Sequence, residues 1–389
     1  MKEILRATFE LLKSESLGLS LDSSRVENLS ETDLRNVLKL CKPHDIQNII
    51  ASGLLKTDLV KKYPTLTKEL KNELLISLSR YERSNYEFNV LRECFEKNNI
   101  HFLPLKGVIL RDYYHNPSLR TSSDIDIFLN PNDVDLAIKS LRQQYGYKKE
   151  KRGVGEVSIY SQNDVHVELL YVIEGKTTEE NAMLEKFNTR FALKDGKSYE
   201  HETSLEFFYT YVLAHTARHF KERGAGIRHV LDVYVMNKKF DLDASVKAKL
   251  LEENGLTEFE KYAVKLSKVW FDGEEHDEVS EVMEKYILAS GVYGGEENYA
   301  INDSSSGKKG KYVSSRLWLK KEKLEEYFPN AKIKKSNTIF YQFRRWLNLL
   351  SPKKFRRSVK EVMALNASNE KRRKQTDFLM ENLELKKLK

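Results

Sequence analysis

Hydrophobic positions in this chain recur with two different periods. From residue 1 to about 98 they recur at helical spacing: Leu5, Phe9 and Leu12, then Leu34, Val37, Leu38 and Leu40. Between Glu69 and Asn98 the same spacing links Leu70, Leu74, Leu78, Tyr81, Phe88, Leu91 and Phe95. That period predicts helices. Ser30, with Asp33 three residues on, is a helix start, and Pro43 and Pro64 interrupt the pattern. His44, beside Pro43, reads as a cap or a core residue.

Beyond residue 100 the period drops to two. Ile100–Leu105 reads as a strand that enters a helix, from about Val108 to His115, through a tight turn at Lys106-Gly107. In Asp124-Ile-Asp126-Ile-Phe-Leu129 the carboxylates alternate with apolar residues, so one strand face is acidic and the other buried. Asn130-Pro131 opens a helix with Val134, Ala137, Ile138, Leu141 and Tyr145 on its inner side, and Gly146 stops it. Short strands follow near Tyr147–Glu150 and Val157–Ser161, with Gly153 and Gly155 in the turn between them. Asp164–Tyr171 alternates again, setting Val165, Val167 and Leu169 on one face and His166 and Glu168 on the other.

The helical period returns from Tyr209 to Phe220, breaks at Gly224 and Gly226, and resumes through Ile227, Val230, Leu231, Tyr234 and Val235. His215 and His219 share one face of the first of these helices. Arg228 and Asp232, also four apart, are placed to pair on the second. The period persists from Val246 to Leu288. Residues 291–310 are turn-rich and polar, a flexible loop. Leu317–Phe328 and Thr338–Leu350 are helical, the latter aromatic on one side and basic at one end.

Composition narrows the class. At 389 residues, 40% hydrophobic and 32% charged, the chain suits a soluble globular protein of two or three domains. No apolar run approaches the roughly 20 residues a bilayer span needs, and the N-terminus lacks a signal-peptide core. The two cysteines, Cys41 and Cys94, lie in helical patterns as core fillers. Zinc frameworks and disulfides are thereby disfavoured, and a reducing, cytoplasmic setting is expected. The net charge of +8 is uneven: residues 305–389 hold 24 Lys/Arg against 8 Asp/Glu, and the remainder is net acidic. The basic end is either a solvated helical face or a surface for an anionic partner, RNA or membrane.

Two carboxylates one strand pitch apart repel unless a cation lies between them, and a hard divalent ion such as Mg²⁺ takes such oxygen ligands. Glu168 is the natural third acid, on a strand of its own. His166 reads as a residue behind the site, a substrate contact or an exposed strand residue. Lys106-Gly107 suits an anion, with a backbone that a ligand can approach closely. The two histidines have a spacing compatible with zinc but no third ligand nearby. The other readings of that helical pair are a lid lining a substrate cleft and a buried polar network.

The order of these pieces resembles the polymerase-β-type nucleotidyltransferase superfamily, and within it the bacterial family called "uncharacterised nucleotidyltransferase". The resemblance rests on Leu105-Lys106-Gly107, Arg120 ahead of Ser123-Asp124-Ile-Asp126, Gly146-Tyr147, Val167-Glu168-Leu169, and the His-x-x-x-His then Arg-x-x-x-Asp block. It spans about residues 30–350 and is strongest from 103 to 172. One position departs: many relatives have His two residues after the third acid, where this chain has Leu170.

The resemblance implies an α+β fold, a small mixed β-sheet core with flanking N-terminal and C-terminal helical regions. The expected divisions are 1–98 (helical), 99–200 (catalytic core), 201–290 (helices over the cleft), 291–312 (flexible loop) and 313–389 (basic, helical). It implies that Asp124, Asp126 and Glu168 are catalytic and hold two Mg²⁺ ions. Lys106, Gly107, Arg120, Ser122 and Ser123 would bind a nucleoside triphosphate, ATP first among candidates. His166, His215, His219, Arg228 and Asp232 would line the substrate cleft. The implied reaction transfers a nucleoside monophosphate to an acceptor hydroxyl with release of pyrophosphate. Transfer of phosphocholine or a sugar-phosphate on the same fold, a non-catalytic nucleotide- or RNA-binding protein, and a helical interaction protein remain alternatives at this stage.

Overall fold

Helices α1 (Lys2–Leu17), α2 (Glu31–Cys41), α3 (Gln47–Leu55) and α4 (Pro64–Lys97) fill the N-terminal part of the computed structural model. The structure describes residues 2–172, 182–185, 191–222, 224–292, 324, 337–349 and 373–386. Ser30 and Asp33 close a capping box on α2, each side chain accepting the other's backbone N–H. The long helix α4 begins at Pro64, five residues before the expected Glu69, because proline at the first helical position gives up only an N–H that has no partner there.

Five strands form one mixed sheet in the order β1-β2-β5-β4-β3: β1 (Phe102–Leu105), β2 (Asp124–Leu129), β3 (Lys148–Arg152), β4 (Glu156–Tyr160) and β5 (His166–Leu170). Strand β2 runs antiparallel to β1 and parallel to β5, and β4 is antiparallel to both β5 and β3. The parallel β2–β5 pair needs a crossover, and α6 (Val134–Tyr145) with the β3–β4 hairpin supplies it. Gly146 ends α6 in the left-handed conformation at φ 68°, as the sequence predicts.

One face of the sheet is apolar throughout. Ile125, Ile127, Val167, Leu169 and Val157 pack there with Phe88, Leu91 and Phe95 of α4 and with Ile138 and Leu141 of α6. The opposite face is divided. At its far end Phe128 and Leu170 pack with Phe207 and Tyr211 of α7 (Leu205–Glu222), and its near end is polar. Helices α7 and α8 (Ile227–Lys239), with later helices at Ala244–Glu253, Thr257–Phe271 and Glu278–Leu288, share a continuous apolar core with α1 and α3. The N-terminal helices and those after residue 205 therefore bury one another around the sheet. Cys41 and Cys94 are buried and unpaired, as expected of core fillers.

The helix expected from Val108 to His115 is shorter: α5 (Gly107–Leu110) gives way to a 3-10 turn at Arg111–Tyr113, and Tyr114 is extended. That extension carries the Tyr114 hydroxyl to Asp232 on α8, at 2.6 Å. The helix at Thr338–Leu349 is present, with Ile339, Phe340 and Phe343 exposed. Of the loop expected at 291–310 only Gly291 and Val292 are among the described residues, and the helix expected at Leu317–Phe328 (apart from Leu324) and the basic run 353–360 lie outside them. No described helix is long and apolar enough to cross a membrane.

Candidate active site

The parallel pairing of β2 and β5 sets the site. Asp124 lies opposite His166, and Asp126 opposite Glu168. Side chains two apart on a strand share a face, so all four project from the polar half of the sheet. Strand β4 extends both rows: Tyr160 lies opposite His166 and Ser158 opposite Glu168. The three predicted carboxylates, from two strands whose paired positions are 42 residues apart, thus meet on one face.

They do not meet as equals. Asp126 is 4% exposed, and the Lys106 ammonium donates to its Oδ1 at 2.9 Å. Asp124, His166 and Glu168 bring one ligand atom each to within 4.8 Å of one another. His166 therefore stands in the cluster itself. Burial, with the negative charges of Asp126 and Asp124 beside it, pushes the Glu168 carboxyl up to about 8. Burial also holds His166 below the ordinary imidazole range despite Asp124 and Glu156 nearby, so the ring is neutral at pH 7.

The turn at Lys106 is strained. Its backbone sits at φ 50°, ψ −119°, a region that favours glycine. Gly107 beside it cannot be larger without cost, since a Cβ there would come 2.9 Å from the Ser122 Cβ and 3.3 Å from Arg120 Nη1. The strain is held by the Lys106–Asp126 ion pair and by this close packing. Ser122 donates its hydroxyl to the Asp124 carbonyl at 3.0 Å and so fixes the start of β2, while Ser123 is exposed at the mouth.

A pocket of about 300 Å³ lies above these residues. Its floor is acidic, with Asp124, Asp126, Glu168 and Glu156, and its other walls are basic. Helix α7 contributes His215, Arg218 and His219; α8 contributes Arg228 and His229. The His215 and His219 rings are edge-on, with centroids 4.4 Å apart. The Gly226 N–H donates to His229 Nδ1 at 3.1 Å, which leaves the ring proton of the neutral imidazole on Nε2. Burial and the Arg228 guanidinium push the His229 pKa down to about 3.

One expectation is corrected here. Arg228 and Asp232 do not pair with each other in the way their spacing allows. Arg228 Nη1 donates to Asp45 Oδ2 at 2.5 Å and to the Thr121 carbonyl at 3.1 Å. Asp232 instead takes Arg120 and Tyr114. Both arginines thereby tie the strand β2 entrance to the helical roof, through partners 107 to 183 residues away in sequence. Arg120 lines the pocket but spends its Nε and Nη2 on Asp232. As for zinc, among the described residues neither His215 nor His219 belongs to a group of three potential metal ligands.

Sequence reading missed Asp45, Tyr114, Glu156, Arg218 and His229. Glu156 had a signal, the alternation Glu-Val-Ser-Ile-Tyr that places it on the same face as Ser158 and Tyr160. Asp45 had none, since only the fold brings it to Arg228.

The donor set fits a divalent cation. Two carboxylates and a neutral imidazole converge, the proton on Glu168 marks an excess of negative charge that a cation would relieve, and the buried Nε2 of His166 has no hydrogen-bond partner among the described residues. Leu170, the position at which the sequence departs from the family pattern, is 3% exposed and packed with Phe128 and Leu105, so it serves the apolar seal. His166 supplies an imidazole from the other side of Glu168.

Comparison with curated proteins finds no match. The sequence model of the family described as "Uncharacterised nucleotidyltransferase" matches residues 30–272, which takes in the N-terminal helices from α2 onward, the whole sheet and the helical roof. The match covers more than half of the chain, and the protein belongs to that nucleotidyltransferase family.

Proposed function

We propose that this protein is a divalent-metal-dependent transferase that moves a nucleoside monophosphate from a nucleoside triphosphate, ATP first among candidates, to a hydroxyl group of an acceptor. The observation that carries this reading is the register of β2 against β5, which sets Asp124, Asp126 and Glu168 under a roof of histidine and arginine. An acidic floor suits cations and a basic roof suits phosphates, so the two surfaces would bracket a metal-bound triphosphate.

Asp124, Asp126 and Glu168 would hold the metal, with Mg²⁺ the first ion to test. Bound there, it would neutralise developing charge on the phosphoryl oxygens and acidify the acceptor hydroxyl. The acceptor oxygen attacks the α-phosphorus in line, a new P–O bond forms, and the bond to the β-phosphate oxygen breaks with its electron pair leaving on pyrophosphate. Glu168 would take the hydroxyl proton. Lys106, released from Asp126 as the cation takes over that carboxylate, would turn its charge to the phosphates, with the Gly107 N–H and Ser123 beside it. His215, His219, Arg218 and the Nε2–H of His229 would meet the β- and γ-phosphates from above. Arg120 contributes by fixing the roof to the floor through Asp232.

The test uses ATP labelled at the α-phosphorus, Mg²⁺ and a panel of small-molecule, saccharide, protein and RNA acceptors. Transfer of label with equimolar pyrophosphate, abolished in Asp126→Asn while the variant keeps its circular dichroism, supports the proposal. Undiminished transfer by Asp126→Asn rejects it.

A further inference from the structure

We infer that His166 is a direct metal ligand and that the site therefore selects a divalent first-row transition ion, Mn²⁺ being the probe, over Mg²⁺. The inference deepens the proposed function and rests on its placing of a cation at this face.

Four observations lead here. The ligand atoms of Asp124, His166 and Glu168 lie within 4.8 Å of one another. Two ligands of one six-coordinate ion, at bonds of about 2.1 Å, sit about 3 Å apart when adjacent and about 4.2 Å when opposite. The trio is within side-chain reach of that geometry, with His166 Nε2 and Glu168 Oε1 needing to close by about 1 Å to sit as adjacent ligands. Second, His166 Nε2 is buried without a hydrogen-bond partner among the described residues and lies 3.9 Å from Glu168 Oε1. A buried ring nitrogen left without a partner is unfavourable, and a metal bond would satisfy it.

Third, the ring is already oriented. Tyr160, its neighbour across the β4–β5 pairing, stacks on it with centroids 4.8 Å apart and planes 20° from parallel. Fourth, the closely spaced donor atoms include an imidazole beside the carboxylates: Asp126 is set against the Lys106 ammonium before a cation binds, and His166 stands level with Asp124.

That donor set decides the metal. Three carboxylates suit Mg²⁺, a hard ion that prefers oxygen and keeps much of its water. An imidazole in the first coordination shell favours borderline ions along the Irving–Williams order, whose affinities exceed that of Mg²⁺ at nitrogen-containing sites. His166 would thus act as a specificity-determining ligand.

The test uses the full-length, metal-stripped protein. Mn²⁺ affinity is read by electron paramagnetic resonance and Mg²⁺ affinity by competition. Pulsed resonance of the Mn²⁺-loaded protein then reports whether a ¹⁴N nucleus is bonded to the ion. The expected result is a directly bonded ¹⁴N signal in the unmodified chain, lost in His166→Gln. That variant should bind Mn²⁺ about tenfold or more weakly while its Mg²⁺ affinity changes by less than about twofold. Mn²⁺ binding without the ¹⁴N signal, or with a signal that persists in His166→Gln, overturns the inference and leaves the carboxylate site standing. Absence of saturable Mn²⁺ and Mg²⁺ binding in the unmodified chain, matching Glu168→Gln, removes the metal site altogether and the inference with it.

Discussion

The Arg120 guanidinium holds Asp232 in a two-point grip, Nε to Oδ1 at 3.1 Å and Nη2 to Oδ2 at 2.8 Å, across 112 residues of sequence. Both side chains are more than nine-tenths buried, and the Tyr114 hydroxyl closes the arrangement on Oδ1. Burial alone would oppose both charges. The pair and its hydrogen bonds reverse that, keeping Arg120 charged and Asp232 below the usual carboxylate range.

Breaking this grip on one side should be costly. Asp232→Asn strands a buried guanidinium and is expected to lower stability by about 3–5 kcal/mol. The double variant Arg120→Met, Asp232→Leu should lose much less than the sum of the single changes, because no buried charge is left alone. Urea unfolding of the unmodified chain, Asp232→Asn, Arg120→Met, Asp232→Leu and the double variant checks this.

The strained turn offers a second test. Lys106→Ala keeps the unfavourable φ of 50° and loses the ammonium, whereas Lys106→Gly loses the ammonium but relaxes the backbone. The glycine variant should be the more stable of the two by about 1 kcal/mol, read from their unfolding midpoints. Equal stabilities would show that the backbone there carries no strain.

Acid should loosen the joint between α7 and α8. Both imidazoles there accept backbone N–H groups at the start of α8: His229 from Gly226, and His44 from Ile227 at 3.2 Å. Burial pushes His44 down to about 4, and burial with Arg228 pushes His229 to about 3. A depressed histidine pKa means that the unfolded chain binds the proton first. Stability is therefore complete above about pH 6.5 and is lost as the pH falls toward 4, by up to about 1.4 kcal/mol per pH unit for each ring. Melting temperatures measured from pH 7.5 to 4.5 should fall, with a shallower slope in His44→Asn.

Metal binding should release a proton. Glu168 is raised to about 8 without a cation, so below that pH its carboxyl must deprotonate to become a ligand. Isothermal titration of Mn²⁺ in two buffers of different ionisation enthalpy should show close to one proton released at pH 7 and markedly less at pH 9. Affinity should weaken as the pH falls below 8.

The polar face of the sheet was legible in the sequence because strand periodicity is local. Asp124, Asp126, His166 and Glu168 could be assigned to faces by counting in twos, and the family resemblance put the two strands together. Ser30 and Gly146 were legible for the same reason, as a cap and a stop set by their immediate neighbours. The roof was not. Whether Arg228 takes Asp232, four residues on, or Asp45, 183 residues back, depends on how helices pack, and spacing on one helix favoured the wrong partner. The role of Lys106 was half visible: a cation at the turn could be read, but not that Asp126 claims it. His166 was read as one of several supporting residues, and only the register of three strands brings it level with Asp124 and against Tyr160.

The sealed positions of the chain's two cysteines make it a convenient object for labelling. Cys41 and Cys94 have no exposed surface, and burial pushes both thiols up, that of Cys94 to about 12, so neither should react with a maleimide in the native state. Val154, 65% exposed at the tip of the β3–β4 hairpin, sits two residues from Glu156 of the pocket floor. A fluorophore attached through Val154→Cys would be carried by a single reactive thiol at the edge of the cleft, well placed to register a ligand's arrival without a change to the native cysteines.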